Sequence, residues 1–313
     1  MISRVDQLVS LLAGTHLEGR GLAEISILDS EHQAMLIELE ASDLQESWST
    51  ARALVDKTGR WPVAVTCWDA SSQGTWAERF VAEDLFNRSY FTEGADGLDV
   101  SPQALCDRAG SLDLAEFLSR DGAEEAEMEP LDEVLEDMLE QTAETFGEAP
   151  SVDDIENARQ SGAKITTAAE LDRWLAGWER SRFPDRVMNR DEIGTEDWFE
   201  PDGPCALLLL PVETGADALA YVSWYAGAGR DDAELIALLR SWQRDFGAEL
   251  VAHWGTMLQL KVHQPPDNEN QAWQLAREHT LAAPCTILLP GTPLRDYARA
   301  LVGSDRWFLH ERP

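Results

Sequence analysis

The feature that most constrains this chain is the run from Asp231 to His279, where a helix pattern, a hairpin pattern and a second helix pattern follow one another. Leu235, Leu238, Leu239, Trp242 and Phe246 recur at the spacing of one helical face. Gly247 then supplies the residue best suited to a left-handed C-terminal cap. Two strand-like runs, 249–254 and 258–263, flank Gly255-Thr256-Met257. A two-residue turn would put His253 beside Leu258 and mix polar with apolar side chains on each face. A three-residue loop instead pairs Trp254 with Leu258, Ala252 with Leu260 and Leu250 with Val262. That register predicts a polar face of Glu249, His253, Gln259, Lys261 and His263, with Glu249 across from His263. Pro265-Pro266 stops the strand, Asp267 or Asn268 caps the next helix, and Ala272, Leu275, Ala276 and His279 form its inner stripe.

Around this block, 206–212 and 218–224 read as strands, 286–289 as a strand, 294–301 as a helix and 307–310 as an edge strand. The order β-α-β-β-α-β resembles a ferredoxin-like sheet. The N-terminal part gives a helix over 5–13, strands over 22–29 and 34–39, and a helix carrying Leu44, Trp48, Ala51 and Val55 that Gly59 ends. An apolar strand over 63–68, a loop over 69–73 and helices over 76–90 and 101–120 follow. The expected class is α+β: a small N-terminal α/β domain (1–120), an acidic helical segment (121–183), a linker (184–204) and a C-terminal sheet domain (205–313). Within the acidic segment Leu131, Val134, Leu135, Met138, Leu139 and Phe146 keep helical spacing, and Leu171, Trp174, Leu175 and Trp178 mark another helix over 168–183.

Trp242, the Phe-Gly-Ala-Glu run 246–249, Pro265-Pro266 and the spacing of Ala272, Leu275, Ala276 and Glu278 resemble bacterial domain-of-unknown-function family 4253, over roughly residues 200–313. Thr58-Gly-Arg-Trp-Pro62 resembles a segment found upstream of that domain in related proteins. The chain departs from the family pattern at Ala283-Pro284-Cys285 and at 225–229. The resemblance implies no particular activity.

Charge narrows the partners. With 58 acidic against 25 basic side chains the net charge is −33, which opposes binding to nucleic acid or to an anionic membrane. No run is apolar enough for a membrane helix and no leader is read at the start, so a cytoplasmic protein is expected. From 121 to 156 there is no basic residue, while acids recur through it. Glu124, Glu125, Asp132, Glu133, Glu136, Asp137 and Glu140 are the candidate surface for a basic protein partner; a merely solvated acidic face is the simpler reading.

Motifs for chemistry are absent. No phosphate loop, zinc-protease helix, nucleophile elbow or calcium loop occurs, Gly227-Ala-Gly229 is too short for a dinucleotide site, and the four cysteines lie far apart. No metal site and no cofactor are expected. The candidate catalytic residues are Glu249, His253 and His263, which the hairpin register puts on one face, and His279, whose place on an inner stripe also suits a core histidine. Cys67, at the end of a strand, is a further nucleophile candidate without a histidine near it in sequence. The leading reading is a non-enzymatic interaction protein, of the immunity or antitoxin type, that binds and occludes a basic partner. The competing reading is an enzyme or metal-binding protein with its site on the C-terminal sheet.

Overall fold

The computed structural model describes residues 1–27, 30–66, 76–80, 99–119, 130–186, 204–222, 224 and 232–311. The chain runs α1 (Val5–Leu12), β1 (Leu22–Ser26), β2 (Gln33–Leu39), α2 (Leu44–Ala53), α3 (Val55–Thr58) and β3 (Trp61–Thr66). Next come α4 (Pro102–Ser111), α5 (Leu131–Phe146), α6 (Val152–Gln160), α7 (Ala168–Arg182), β4 (Cys205–Leu210), α8 (Gly215–Ala218) and α9 (Asp232–Phe246). The last part is β5 (Ala248–His253), β6 (Met257–Val262), α10 (Glu269–Ala282), α11 (Cys285–Leu288), α12 (Leu294–Leu301) and β7 (Arg306–His310). The class is α+β, as the alternation of periods predicts.

Two compact units share this chain. The first comprises Met1–Leu114, Glu196–Pro265 and Asp305–Pro313, the second Ala115–Thr195 and Pro266–Ser304. They do not follow the consecutive boundaries expected at 120, 183 and 204. The reason is strand pairing: β1 to β3 from the N-terminal part and β4 to β7 from the C-terminal part form one seven-stranded sheet in the order β1-β2-β4-β3-β5-β6-β7.

In that first unit the pairs are antiparallel except β3 with β5. The chain order strand, helix, strand, strand, helix, strand holds from β4 to β7, but β3 enters the sheet between β4 and β5. β4 and β5 are buried at every position and β3 at all but Thr66, as strands covered on both faces must be. Pro62 fits because β3 has only β4 beside it there; β5 joins at Ala64. The buried Arg60 guanidinium donates to the carbonyls of Ile2 (3.0 Å), Gln33 (2.7 Å) and Leu209 (3.2 Å), tying the N-terminus to the sheet.

The second unit has a core of Ile155, Ile165, Leu171 and Leu175, against which the apolar stripe of α5 (Leu131, Leu135, Met138, Leu139) packs. Helices α10 and α12 pack together, and α12 also meets α7.

Two expected strands are corrected. The expected strand over 218–224 is not formed over 218–222: Thr214 caps α8 by accepting from Asp217 N (3.2 Å), and turns follow. Residues 286–289 fall in and just after α11, one helical turn behind Pro284. Both runs are short and apolar, and over so few residues period does not separate helix from strand. Cys67, the loop 69–73, most of 76–90, Glu124, Glu125, Gly227–Gly229 and 187–203 lie outside the described residues. No helix among the described residues is long and apolar enough to cross a membrane.

Candidate functional site

The hairpin register differs from the expected one. Glu249 stands opposite Lys261, Leu250 opposite Leu260 and His253 opposite Leu258, with a register shift between Leu250 and Ala252. The tight turn that polar and apolar mixing disfavoured is the one used: Trp254 N donates to Met257 O (2.8 Å) around Gly255-Thr256. The irregularity between Leu250 and Ala252 reconciles it with the apolar pattern, because one extra residue restores the alternation a slip would destroy.

Glu249 and His263 nevertheless meet. Gln264 N donates to Phe246 O (2.8 Å) and so holds the end of β6 beside the start of β5. His263 Nε2 lies 3.0 Å from Glu249 Oε2, and the Arg52 guanidinium of α2 donates to Glu249 Oε1 from Nε (2.9 Å) and Nη2 (2.5 Å). Arg52 also lies over the Trp61 ring, 4.4 Å from its centroid, and Trp61 Nε1 donates to Leu250 O (2.9 Å). A carboxylate held from one side by a guanidinium thus orients a half-exposed imidazole from the other, the base-and-orienter arrangement of acid–base chemistry. Arg52 carried no signal in the sequence, since its contact joins residues 197 positions apart.

The other two histidines do not join this pair. His253 is buried, and its Nδ1 accepts from Gly255 N (3.3 Å) at the turn. His279 is wholly buried in the second unit, with Nδ1 2.8 Å from the Tyr297 hydroxyl, and burial pushes its pKa down to about 3. It is a neutral core histidine, the role its stripe position allows. Among the described residues no group of three or more His, Cys, Asp or Glu side chains is placed to hold a metal ion. Cys205 is buried in β4, and burial raises its thiol to about 11, far from a nucleophile's range.

The acidic surface takes shape on α5. Asp132, Glu133, Glu136, Asp137 and Glu140 are all exposed, while the apolar stripe of the same helix turns to the core. Among the described residues none of the five has a basic partner. Neighbouring acids in this unit do: Glu148 bonds Arg182, Glu156 bonds Arg159 and Glu170 bonds Lys164.

One cluster had no signature in sequence. Arg295, 1 % exposed, donates from Nε to Glu179 Oε1 (2.8 Å), from Nη2 to Thr142 Oγ1 (3.1 Å) and from Nη1 to Asp172. Its backbone N–H donates to the second Asp172 oxygen (2.7 Å), so Asp172 caps α12, and Arg299 bridges Glu179 and Asp296. Burial alone would lower the Arg295 pKa, but Asp172, Glu179 and Asp296 around it raise it. Every charge in the cluster has an opposite, which makes it a structural tie between α5, α7 and α12.

No match was found among curated proteins, and none among solved structures. The part of the chain running from β4 to β7, residues 206–310, matches the family model described as Domain of unknown function (DUF4253).

Proposed function

We propose that the protein is an acidic interaction protein that docks a basic protein partner through the outer face of α5, acting in the cytoplasm in the manner of an immunity or antitoxin protein that occludes its target. One observation carries this reading: five exposed carboxylates follow one another along α5 with no basic partner among the described residues. Asp132 and Glu136, Glu133 and Asp137, and Glu136 and Glu140 are like charges four apart, each pair costing the helix roughly 0.2–0.5 kcal/mol. Such a face is maintained at a cost to its own helix, and it steers a cationic surface toward itself at long range.

The test is capture from the native host at low and high salt with the full chain, beside the variant D132N/E133Q/E136Q/D137N/E140Q. A partner with a basic face should be held at low salt, released at high salt and lost by the variant. Once that partner is purified, its affinity for the wild-type chain should fall steadily with added salt. Equal capture by variant and wild type, or no capture at low salt, sinks the reading.

A second reading rests on His263. Its orientation by Glu249 and Arg52 is that of a general base, so the site on the sheet suits proton transfer. An activity lost in His263→Ala and Glu249→Gln with the fold intact would favour this reading over the first.

A further inference from the structure

The second unit contains a cleft of about 720 Å³, large enough to enclose a compact group. Apolar side chains from four helices line it: Val134 and Met138 of α5, Ala169 of α7, Trp273 of α10, and Ile287 and Leu288 of α11. Leu288 is 62 % exposed and Leu289 beside it 47 %. Among the described residues no other large apolar side chains this exposed are neighbours in sequence. Exposed apolar side chains gathered at one place, with polar residues around them, mark a surface that meets another molecule.

Charge does not select what enters. Lys164, Arg173 and Arg277 stand in the lining against Asp137, Glu170 and Asp172, so the cleft offers neither sign in excess. The excess begins at its rim. The stripe that α5 turns to the cleft, Val134, Asp137, Met138 and Gln141, runs at spacings of three and four, and Asp137 also belongs to the exposed acidic face. At 3.6 residues per turn the centres of that face and of the cleft stripe lie roughly 120° apart around the helix, joined at Asp137. The carboxylates from Asp132 to Glu140 extend about 12 Å along the axis. A segment lying along α5 can therefore set cations against them and still reach sideways into the cleft.

We propose that the cleft receives an apolar side chain from the basic partner's docking segment, whose lysines or arginines meet the carboxylates from Asp132 to Glu140 and whose anchor, the size of leucine or phenylalanine, lies against Val134, Met138 and Leu288. This inference rests on the reading of α5 as the docking face and adds the anchor to it. Charge along α5 draws the segment in, and the cleft supplies the desolvated contact in which interface affinity is concentrated.

The probes are two fluorescein-labelled peptides of equal charge, KLAKLAKKLAKLAK and KSAKSAKKSAKSAK, titrated into the full chain at low salt and followed by fluorescence anisotropy. The leucine peptide should bind at least about tenfold more tightly than the serine peptide. Leu288→Ser removes the exposed contact and Ala169→Trp fills the cleft from its wall. Each should weaken the leucine peptide by about tenfold and leave the serine peptide unchanged. The variant D132N/E133Q/E136Q/D137N/E140Q should weaken both peptides. N-phenyl-1-naphthylamine, an uncharged dye that brightens in apolar surroundings, should bind the cleft and be displaced by the leucine peptide alone. Circular dichroism must be unaltered in each variant; if Ala169→Trp unfolds, Leu288→Ser, at an exposed position, decides alone. Equal binding of the two peptides, or full binding of the leucine peptide by both cleft variants, overturns the anchor and leaves the α5 reading standing. Dye binding that neither peptide displaces also overturns the anchor and assigns the cleft to a small apolar ligand. Peptide binding that is absent, or that the α5 variant leaves unchanged, overturns the α5 reading and the anchor with it.

Discussion

Two single residues have roles that the structure defines, Arg295, which carried no signal in the sequence, and His279, which the sequence named. Arg295 compensates two buried carboxylates, so its removal leaves Asp172 and Glu179 in a medium that penalises charge. Arg295→Ala should cost about 3–5 kcal/mol in urea unfolding of the full chain. Arg295→Met combined with Asp172→Asn should recover part of that loss, because an amide oxygen still accepts the α12 N–H, the Asp172 charge is gone and Glu179 keeps its bond to Arg299. A loss below about 1 kcal/mol for the alanine variant would show that water reaches the cluster. His279 gives a pH signature. Its folded pKa is about 3 against 6.5 in the free side chain, so between those values the unfolded chain binds the extra proton. Its contribution is therefore complete above about 6.5 and is lost as pH falls toward 3. Between pH 7.5 and 5.5 the wild type should lose on the order of 1 kcal/mol relative to the double variant His279→Leu/Tyr297→Phe. Urea titrations of both proteins at the two pH values measure the difference, and parallel pH dependence would refute it.

Elements tell how far pattern alone reaches. α5, α7, α9 and α10 were legible because each alternates an apolar stripe with polar faces over three or more turns, and Asn268 caps α10 with its side chain on Gln271 N (3.0 Å) as its residue type predicts. The hairpin was legible as a pair of strands but not in register, since a bulge is invisible to any rule of strict alternation. Glu249 and His263 were found together despite that error because both sit at strand ends that the Phe246 to Gln264 bond draws together. β3 was legible as an apolar strand but its place in the middle of the sheet was not, because its neighbours β4 and β5 lie some 140 to 190 residues away. α8 shows what that long-range packing demands. A Cβ on Gly215 would stand 2.8 Å from Leu250 N and 2.9 Å from the Trp61 ring, so neither a strand backbone nor a packed indole could stay in place. Gly215→Ala should destabilise by about 1–3 kcal/mol in thermal or urea unfolding, the range for overpacking. Gly162→Ala is no control for this, because that glycine has φ +97° and is strained by any side chain. Gly177→Ala is one: it lies inside α7 with open space around its Cβ and should be neutral or stabilising.

Across the whole molecule, charge is arranged by depth. The deepest charges of the second unit pair within it, Arg295 and Arg299 with Asp172, Glu179 and Asp296, while the five carboxylates of the α5 face lie outside. Surface repulsion of this kind lowers stability and is relieved by screening. The screening length falls from about 30 Å at 0.01 M salt to about 3 Å at 1 M, and like charges one helical turn apart are roughly 6 Å from each other. Repulsion between such neighbours is therefore largely removed by a few tenths molar. The unfolding midpoint should rise steeply in NaCl from about 0.01 M to about 0.3 M and then level off. The variant D132N/E133Q/E136Q/D137N/E140Q should begin higher at low salt and gain less on the way up, since five of the repelling charges are gone. That outcome would mean the α5 face costs stability that the chain retains, as expected of a surface kept for a partner. A midpoint that keeps climbing to molar salt, equally in both proteins, would instead tie the acidity to a salty cell and leave α5 no special part in it.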